Sequence, residues 1–528
     1  MAASNAQSTA VKSYFKAPEG RYKLSYEKTH PAGLLHYSHG KAVTQVTLAQ
    51  LKDKPVAPPP ASSSFGSTSS VRNAAARLLG GVNGTRMLGF GGSNGTSKPS
   101  TGNKVPASPA AAAVMAHSPT VASHSPSVVS SYDGEGTYII FNVGDTLFIS
   151  DYNSRDKDPI KAIHFSSSSP ICHAFDSDAK DDHDLLIGLN SGDVYSVSLR
   201  QQLQDPGKKL VGAHHYNKDG SLNSSRCTAI AWVPGGDGFF LAAHADGNLY
   251  FYHKNKDGTI DATLPIIKDQ TQFSVTHAKS SKSNPIARWH VCQCPINSIS
   301  FSADGQFLAT VGRDGHLRIF DFGKEQLICG GKSYYGALLC CAWSPDGKYV
   351  LAGGEDDLVQ VWSMEDRAVV AWGEGHNSWV SAVVFDSCWT LPCSDGAEES
   401  TMYRFGSVGQ DTQLLLWDLV MDEIVVPVRR CAPGGSPTYS TSSQSSCMDN
   451  VNSVGLLQSA PSRRDVPKLS PVVAHRVHAE PLSGLIFAKD SIITCSHEGH
   501  LKIWTRPCRT NSPAGNSDVP LESLNNNE

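Results

Sequence analysis

The chain has 528 residues, with 45 Lys+Arg against 49 Asp+Glu and a formal net charge of −4. That balance offers no general attraction for nucleic acid or an anionic membrane surface, so neither is expected as a partner. The 13 cysteines have no framework spacing, the first residues lack the apolar stretch of a signal peptide, and no run approaches the roughly 18 apolar residues of a membrane span. Free thiols in a reducing compartment, cytoplasmic and/or nuclear, are the expectation.

In chain order, residues 1–20 are polar and read as disordered. Residues 21–51 hold Arg21-Tyr-Lys-Leu-Ser-Tyr26, which alternates like a strand, and the β-branched stretch from Val43 to Leu48. From residue 52 to 131 the chain turns to Pro, Ala, Ser and Gly. So little apolar surface cannot offset the entropy of ordering, and the segment reads as a disordered insert. It carries Ser108-Pro109, Ser118-Pro119 and Ser125-Pro126, each of a form that proline-directed kinases accept.

Ordered sequence resumes with Tyr138 to Ile149, two strands about a Gly-Asp turn. A pattern then recurs: an apolar strand, a Pro/Asp-Gly turn, a strand of small apolar residues, an acidic turn, and a strand ending in an aromatic. The turn acid lies six residues before that aromatic in Asp246/Tyr252, Asp314/Phe320, Asp356/Trp362, Asp411/Trp417 and Glu498/Trp504. Asp314 and Asp356 are 42 residues apart, inside the about 40–45 of a four-stranded propeller blade. The longer intervals fall on inserts at 254–285, 386–402 and about 428–471, the last Ser/Pro/Gly-rich and read as disordered. Six repeats run from Ile171 to Trp504, and Val43–Leu48 with Tyr138–Phe165 makes a seventh, split by the long insert. The last repeat lacks an outer strand, and Tyr22–Tyr26 is the candidate to fill it and close the ring. The expected fold is therefore all-β, a seven-bladed propeller over 132–507 joined by strands from 21–51, with a disordered tail at 508–528.

The repeats are similar to those of WD40 proteins, in which a loop His, a hydroxyl, the turn acid and the strand-end Trp form a buried hydrogen-bonded tetrad. The resemblance implies two full tetrads: His376, Ser407, Asp411 and Trp417; and His478, Thr494, Glu498 and Trp504. Phe320 lacks the indole donor of its repeat, and Ala352 and Ala242 stand at the hydroxyl position of theirs. Asp411 and His376 have the residue types of an acid/base pair, but catalytic residues are not normally duplicated around a ring, and the structural role is expected. Trp289-His-Val-Cys292-Gln-Cys294 and the pair Cys388/Cys393 are the nearest approaches to a metal-ligand set, and neither reaches four ligands at workable spacing. No phosphate-cradling loop, nucleophile elbow or His-Glu-x-x-His helix occurs. No cofactor and no enzymatic activity are expected.

Phe141-Asn-Val-Gly144, Lys332 to Tyr349, Gly353-Gly-Glu-Asp-Asp-Leu-Val359 and Tyr403 to Leu414 resemble the creC-type catabolite-repression and dystrophia myotonica WD-repeat family. That resemblance implies a noncatalytic propeller that binds and activates a ubiquitin-specific protease, with further WD40 proteins as additional candidate partners. The competing expectation is a substrate receptor of a cullin-type ubiquitin ligase, or a general interaction scaffold. The Arg that such receptors carry after Trp-Asp is replaced by Val420 after Trp417-Asp418-Leu419, and by Gly323 after Phe320-Asp321-Phe322. Loops bearing the turn acids share one propeller face, which nominates Arg313, Tyr335, Glu355, Trp379 and Gln410 for partner binding, since aromatic and Arg side chains anchor interfaces. Phe273, in a polar insert without a core to join, is nominated with them.

Overall fold

A strand with one apolar face is stable only where that face is covered, and in this chain each repeat covers the next. The structure, a computed structural model, describes residues 11–29, 45–52, 136–156, 158–179, 183–256, 264–389, 402–420 and 457–507. The Ser-Pro dipeptides of the long insert, Cys393 and the C-terminal tail from 508 lie outside the described residues.

The described strands form seven sheets, each built on antiparallel neighbours. Blade 1 runs Val46–Leu51, Gly136–Val143, Thr146–Asp151 and Lys161–His164. Blade 2 runs Pro170–Phe175, Leu185–Leu189, Val194–Val197 and His214–Tyr216. Blade 3 runs Cys227–Trp232, Phe239–His244, Asn248–His253 and Ala287–His290, with Ser274–His277 added outside. Blade 4 comprises Ile296–Phe301, Phe307–Gly312, His316–Asp321 and Gln326–Lys332. Blade 5 comprises Leu338–Trp343, Tyr349–Gly354, Leu358–Ser363 and Ala368–Glu374. Blade 6 comprises Val380–Phe385, Met402–Gly409, Gln413–Val420 and Val473–Arg476. Blade 7 takes Leu482–Phe487, Ser491–Ser496 and Leu501–Thr505 from the C-terminal part, then Gly20–Lys28 and Tyr14–Ala17 from the N-terminal part. First strands pack on first strands all the way round, blade 7 against blade 1 included, so the ring closes.

The register repeats as faithfully as the sequence pattern. In blades 2 to 7 the first strand carries a register shift at its start, as between Ile296 and Ser298 or Leu338 and Cys340. Such bulges add the local twist that lets adjacent sheets fan around an axis. The strand-end Trp of one blade packs on the outer strand of the blade before it, where glycine makes room: a Cβ at Gly331 would sit 2.5 Å from the Trp362 ring.

The closing strand is the one the sequence nominated. Lys23–Lys28 pairs antiparallel with Leu501–Thr505, and Phe15 and Tyr22 bury their stacked rings against Trp504. An ionic clasp secures it. Arg404, its side chain 1% exposed, pairs with Asp418 at 2.6 Å and with Glu19 at 2.6 Å and lies 3.6 Å from the Trp389 ring centroid. Nearby, Arg506 grips Asp386 through two bonds of 2.8 Å.

Two boundaries differ from expectation. Ordered structure begins before residue 21, because Tyr14–Ala17 hairpins onto Gly20–Lys28. The end of the insert placed at about 428–471 is also ordered from 457. Leu457–Gln458 adds a parallel strand to blade 4 and Lys468–Leu469 one to blade 5. Val466 and Leu469 pack on the blade cores, and Arg463 and Lys468 both pair with Glu374. A few apolar contacts and two ion pairs thus strap a polar segment over two sheet edges. A short helix, Leu199–Gln204, capped by the Ser198 hydroxyl, follows the third strand of blade 2. Among the described residues no helix is long and apolar enough to cross a membrane.

Candidate protein-binding face

In a four-stranded blade the turn between strands two and three and the loop leading to the next blade emerge at the same end. Every turn acid therefore faces one side of the ring. The acids differ in what neutralises them.

In blade 6 the expected tetrad is complete. The Trp417 Nε1–H donates to Ser407 Oγ at 2.8 Å, Ser407 lies 2.7 Å from His376 Nε2, and His376 Nδ1 lies 3.0 and 3.1 Å from the Asp411 carboxylate oxygens. A single proton order satisfies all four groups: Trp417 donates to Ser407, Ser407 to His376 Nε2, and His376 Nδ1–H to Asp411. Burial raises the Asp411 pKa, but the bonds from His376 and from the Asn377 and Gln413 amides outweigh it, leaving the carboxyl below its ordinary range. The His376 and Asp411 side chains are 0% and 7% exposed, so this pair is a buried fastening with no open approach for a substrate.

The second expected tetrad is a triad. Trp504 Nε1–H donates to Thr494 Oγ1 at 3.1 Å, and His478 Nε2 lies 2.9 Å from the same oxygen. His478 Nδ1, however, is buried with no hydrogen-bond partner, and Glu498 is exposed. The additional methylene of Glu carries its carboxylate out of the site that Asp411 fills in blade 6. Burial, with repulsion from Lys502 and His500, pushes the His478 pKa down to about 3, so the ring is neutral.

Blades 3 to 5 use other partners. Asp246 accepts from Asn223 and Asn248, and Asp314 pairs with Arg318. In blade 5, with Ala352 at the hydroxyl position, Trp362 Nε1 is buried beside the Cys329 thiol without a hydrogen bond of normal geometry. Asp356 accepts the Tyr334 and Leu358 amides at 3.0 and 3.3 Å. Desolvation outweighs those bonds and raises its pKa to about 6.

The loops between these turns place five of the nominated residues along one arc. The Ser333 amide donates to Gly315 O at 2.7 Å, joining the Arg313–Gly315 turn to the Ser333–Ala337 loop. The Ala337 amide donates to Glu355 Oε2 at 3.0 Å, and Gln410 N–H donates to Trp379 O at 2.9 Å. Arg313, Tyr335 and Trp379 are exposed, while Glu355 and Gln410 are half-buried. Exposed large apolar side chains are few among the described residues, yet Tyr334, Tyr335 and Trp379, at 52%, 72% and 42% exposure, all stand on this arc. Tyr334 was not singled out in the sequence; its twin Tyr335 and the Ser-Tyr-Tyr-Gly turn were the available signal.

Phe273 requires a correction. It does find a core: its ring lies 4.8 Å from Phe320 and 5.6 Å from Trp289, and it is half-buried at the outer edge of blade 3. The expectation of an unanchored aromatic fails because the added strand Ser274–His277 holds it against the blade 3–4 boundary. Cys292 directs its thiol to the Cys294 carbonyl, and among the described residues no three His, Cys, Asp or Glu side chains group as metal ligands.

The WD domain, G-beta repeat family matches residues 283–321 and 328–363, each match running from the fourth strand of one blade through the first three strands of the next, blades 3 to 4 and 4 to 5. Over 376 residues the chain is 34% identical to the UBP9-binding protein bun62 of Schizosaccharomyces pombe, an alignment spanning 65% of this chain and 66% of that protein. The chain thus spans just under two thirds of that relative. Among solved structures it is similar to a chain of the mitotic checkpoint complex at 12% identity and a TM-score of 0.43, covering 70% of this chain and 84% of that one. It is also similar to the designed Ika8 protein at 13% identity and a TM-score of 0.40, covering 70% and 80%.

Proposed function

We propose that this chain, which carries WD40 repeats, is a noncatalytic scaffold that binds a ubiquitin-specific protease through its acid-turn face and raises that protease's activity. The observation that carries the reading is the exposed row of Tyr334, Tyr335 and Trp379 on loops fixed by backbone bonds. Rings held on a rigid frame lose little entropy on association and give up water-exposed apolar area, which is what an interface anchor requires. The partner class is suggested by the relative named for binding UBP9. A noncatalytic role is supported by the burial of the His376–Asp411 pair, the most catalytic-looking constellation in the sequence. Arg313, Glu355 and Gln410 supply polar rim to the same arc.

Affinity purification of the full chain with mass spectrometry tests the partner, and hydrolysis of a fluorogenic ubiquitin substrate by the recovered protease tests activation. Recovery of a ubiquitin-specific protease whose turnover rises on adding the chain supports both parts. Recovery without a rate change removes activation, and recovery of a cullin adaptor instead replaces the reading.

A further inference from the structure

Between blades 5 and 6 the strap leaves one sheet and joins the next. Its Lys468–Leu469 strand pairs with Trp372 and Gly373 of blade 5, and the Val472 amide donates to Leu416 O of blade 6 at 2.8 Å. Ser470-Pro471 makes the crossing. Side chains of an extended chain alternate, and here Lys468, Ser470 and Val472 are exposed while Leu469 and Pro471 are half-buried. Lys468 and Ser470 therefore stand on the same, outer side. Pro471 rests on Gly375, where a Cβ would lie 3.0 Å from the Pro471 Cγ. This seats Ser470 close to Glu374, the carboxylate that binds both Lys468 and Arg463.

Three Ser-Pro dipeptides occur among the described residues, and they differ in what they offer an enzyme. Ser344 is buried, its hydroxyl donating to Asp346 at 2.7 Å and accepting the Tyr349 amide at 2.9 Å. Ser169 is half-buried at the entry to the first strand of blade 2, with Pro170 buried behind it. Ser470 is exposed, in a segment held to blade 5 by a two-residue strand and by ion pairs at the surface. So short a pairing, with few apolar contacts, opens readily. An extended segment that lifts clear of the fold is what a kinase cleft accepts.

We propose that Ser470 is a phosphorylation site for a proline-directed kinase, and that the phosphate loosens the strap by drawing Lys468 away from Glu374. In the transfer, Ser470 Oγ forms a bond to the γ-phosphorus of ATP as the bond from that phosphorus to the β,γ-bridging oxygen breaks. ADP leaves, and the hydroxyl proton passes to the kinase's catalytic carboxylate. The product carries a charge of about −1.5 to −2 at pH 7, on the same side of the chain as a Lys468 ammonium that lies 2.6 Å from the Glu374 carboxylate. The greater charge wins the lysine, and the same phosphate repels Glu374. Glu374 is left with Arg463, whose guanidinium lies 5.9 Å from the Tyr334 ring centroid and links the strap to the aromatic row. Loosening the strap therefore frees Tyr334. This adds regulation to the face described above, and it rests on that reading only for its effect on protease binding.

The site and its effect are tested first without a partner. The full chain and Ser470→Ala are each incubated with ATP and a purified mitogen-activated protein kinase, phosphates are located by tandem mass spectrometry, and amide exchange of 457–471 is followed. The expected result is phosphate on Ser470 and strap exchange about threefold to tenfold faster in the wild type, with treated Ser470→Ala exchanging as before. Glu374→Ala tests the mechanism: the pair that the phosphate breaks is already gone, so phosphorylation should accelerate its strap by less than about twofold. No phosphate on Ser470, strap exchange unchanged or slowed in the phosphorylated wild type, or an acceleration in Glu374→Ala as large as in the wild type overturns the proposal. With the recovered protease, the phosphorylated chain should bind about threefold or more weaker than Ser470→Ala treated alike. Equal affinity beside a loosened strap overturns the coupling to the face. Failure to recover a protease counts against the partner assignment alone and leaves the exchange result to decide the site.

Discussion

Replacing Ser407 by Ala removes one oxygen and breaks the centre of the blade 6 tetrad. That oxygen accepts from Trp417 Nε1 at 2.8 Å and bonds His376 Nε2 at 2.7 Å, and Ser407, Trp417 and the His376 side chain are all buried. The mutant leaves two polar atoms in the protein interior with no partner and no water, each costing about 1–3 kcal/mol. The expected destabilisation is about 2–5 kcal/mol, read as a fall in Tm of several degrees. Differential scanning fluorimetry should be run beside Ser381→Ala. The Ser381 hydroxyl is buried without a hydrogen-bond partner, so its removal strands nothing. If Ser407→Ala melts with Ser381→Ala, within about 1 °C of wild type, the tetrad is not the fastening described and the argument from buried hydrogen bonds fails.

Other consequences are equally direct. Arg404→Met strips the counter-charge from Asp418 and Glu19, whose side chains are 16% and 13% exposed, so the loss falls below the about 3–5 kcal/mol of breaking a fully buried pair; limited proteolysis should then cut within residues 11–29, and resistance equal to wild type would refute the clasp. Asp356 is stabilised in its protonated form on folding, so the native state holds more protons than the unfolded chain between the ordinary carboxylate range and about pH 6. Its contribution to stability therefore falls as pH rises through that window. Asp356→Asn should flatten the decline, and identical Tm-against-pH curves would contradict the assignment. Glu374→Ala releases Arg463 and Lys468, both largely exposed pairs. Amide exchange of 457–471 should accelerate while the global Tm moves by less than about 2 °C, because exposed pairs contribute about 1 kcal/mol or less.

The legible part of this fold was the part that repeats. A turn acid six residues before an aromatic, found five times, reflects one hairpin geometry imposed by one packing problem, and the missing strand of blade 7 could be inferred from the ring's need to close. What escaped has no periodicity to read. The strap at 457–471 is held by Leu457, Val466, Leu469 and two ion pairs on Glu374, too few apolar residues to stand out in a Ser/Pro-rich stretch. Glu498 shows the limit of reading by residue class: Asp and Glu share a charge, but one methylene decides whether the carboxylate meets a buried histidine. Phe273 looked solitary because its covering strand carries Ser274-Val-Thr-His277, with one apolar residue. The candidate face was legible in its loops, from Arg313 to Gln410, whereas its exposed Tyr334 beside Tyr335 depends on side-chain exposure that no sequence pattern encodes.

The central claim is that the acid-turn face binds a ubiquitin-specific protease through Tyr335 and Trp379. Its most direct test is the affinity of purified wild-type chain and of Tyr335→Ala/Trp379→Ala for the recovered protease, with both proteins shown to melt alike. The account predicts tight binding by the wild type and a loss of at least about thirtyfold in the double variant, as expected for two truncated anchors of about 1–2 kcal/mol or more each. Equal affinity for both proteins, or no protease bound by the wild type, would contradict it.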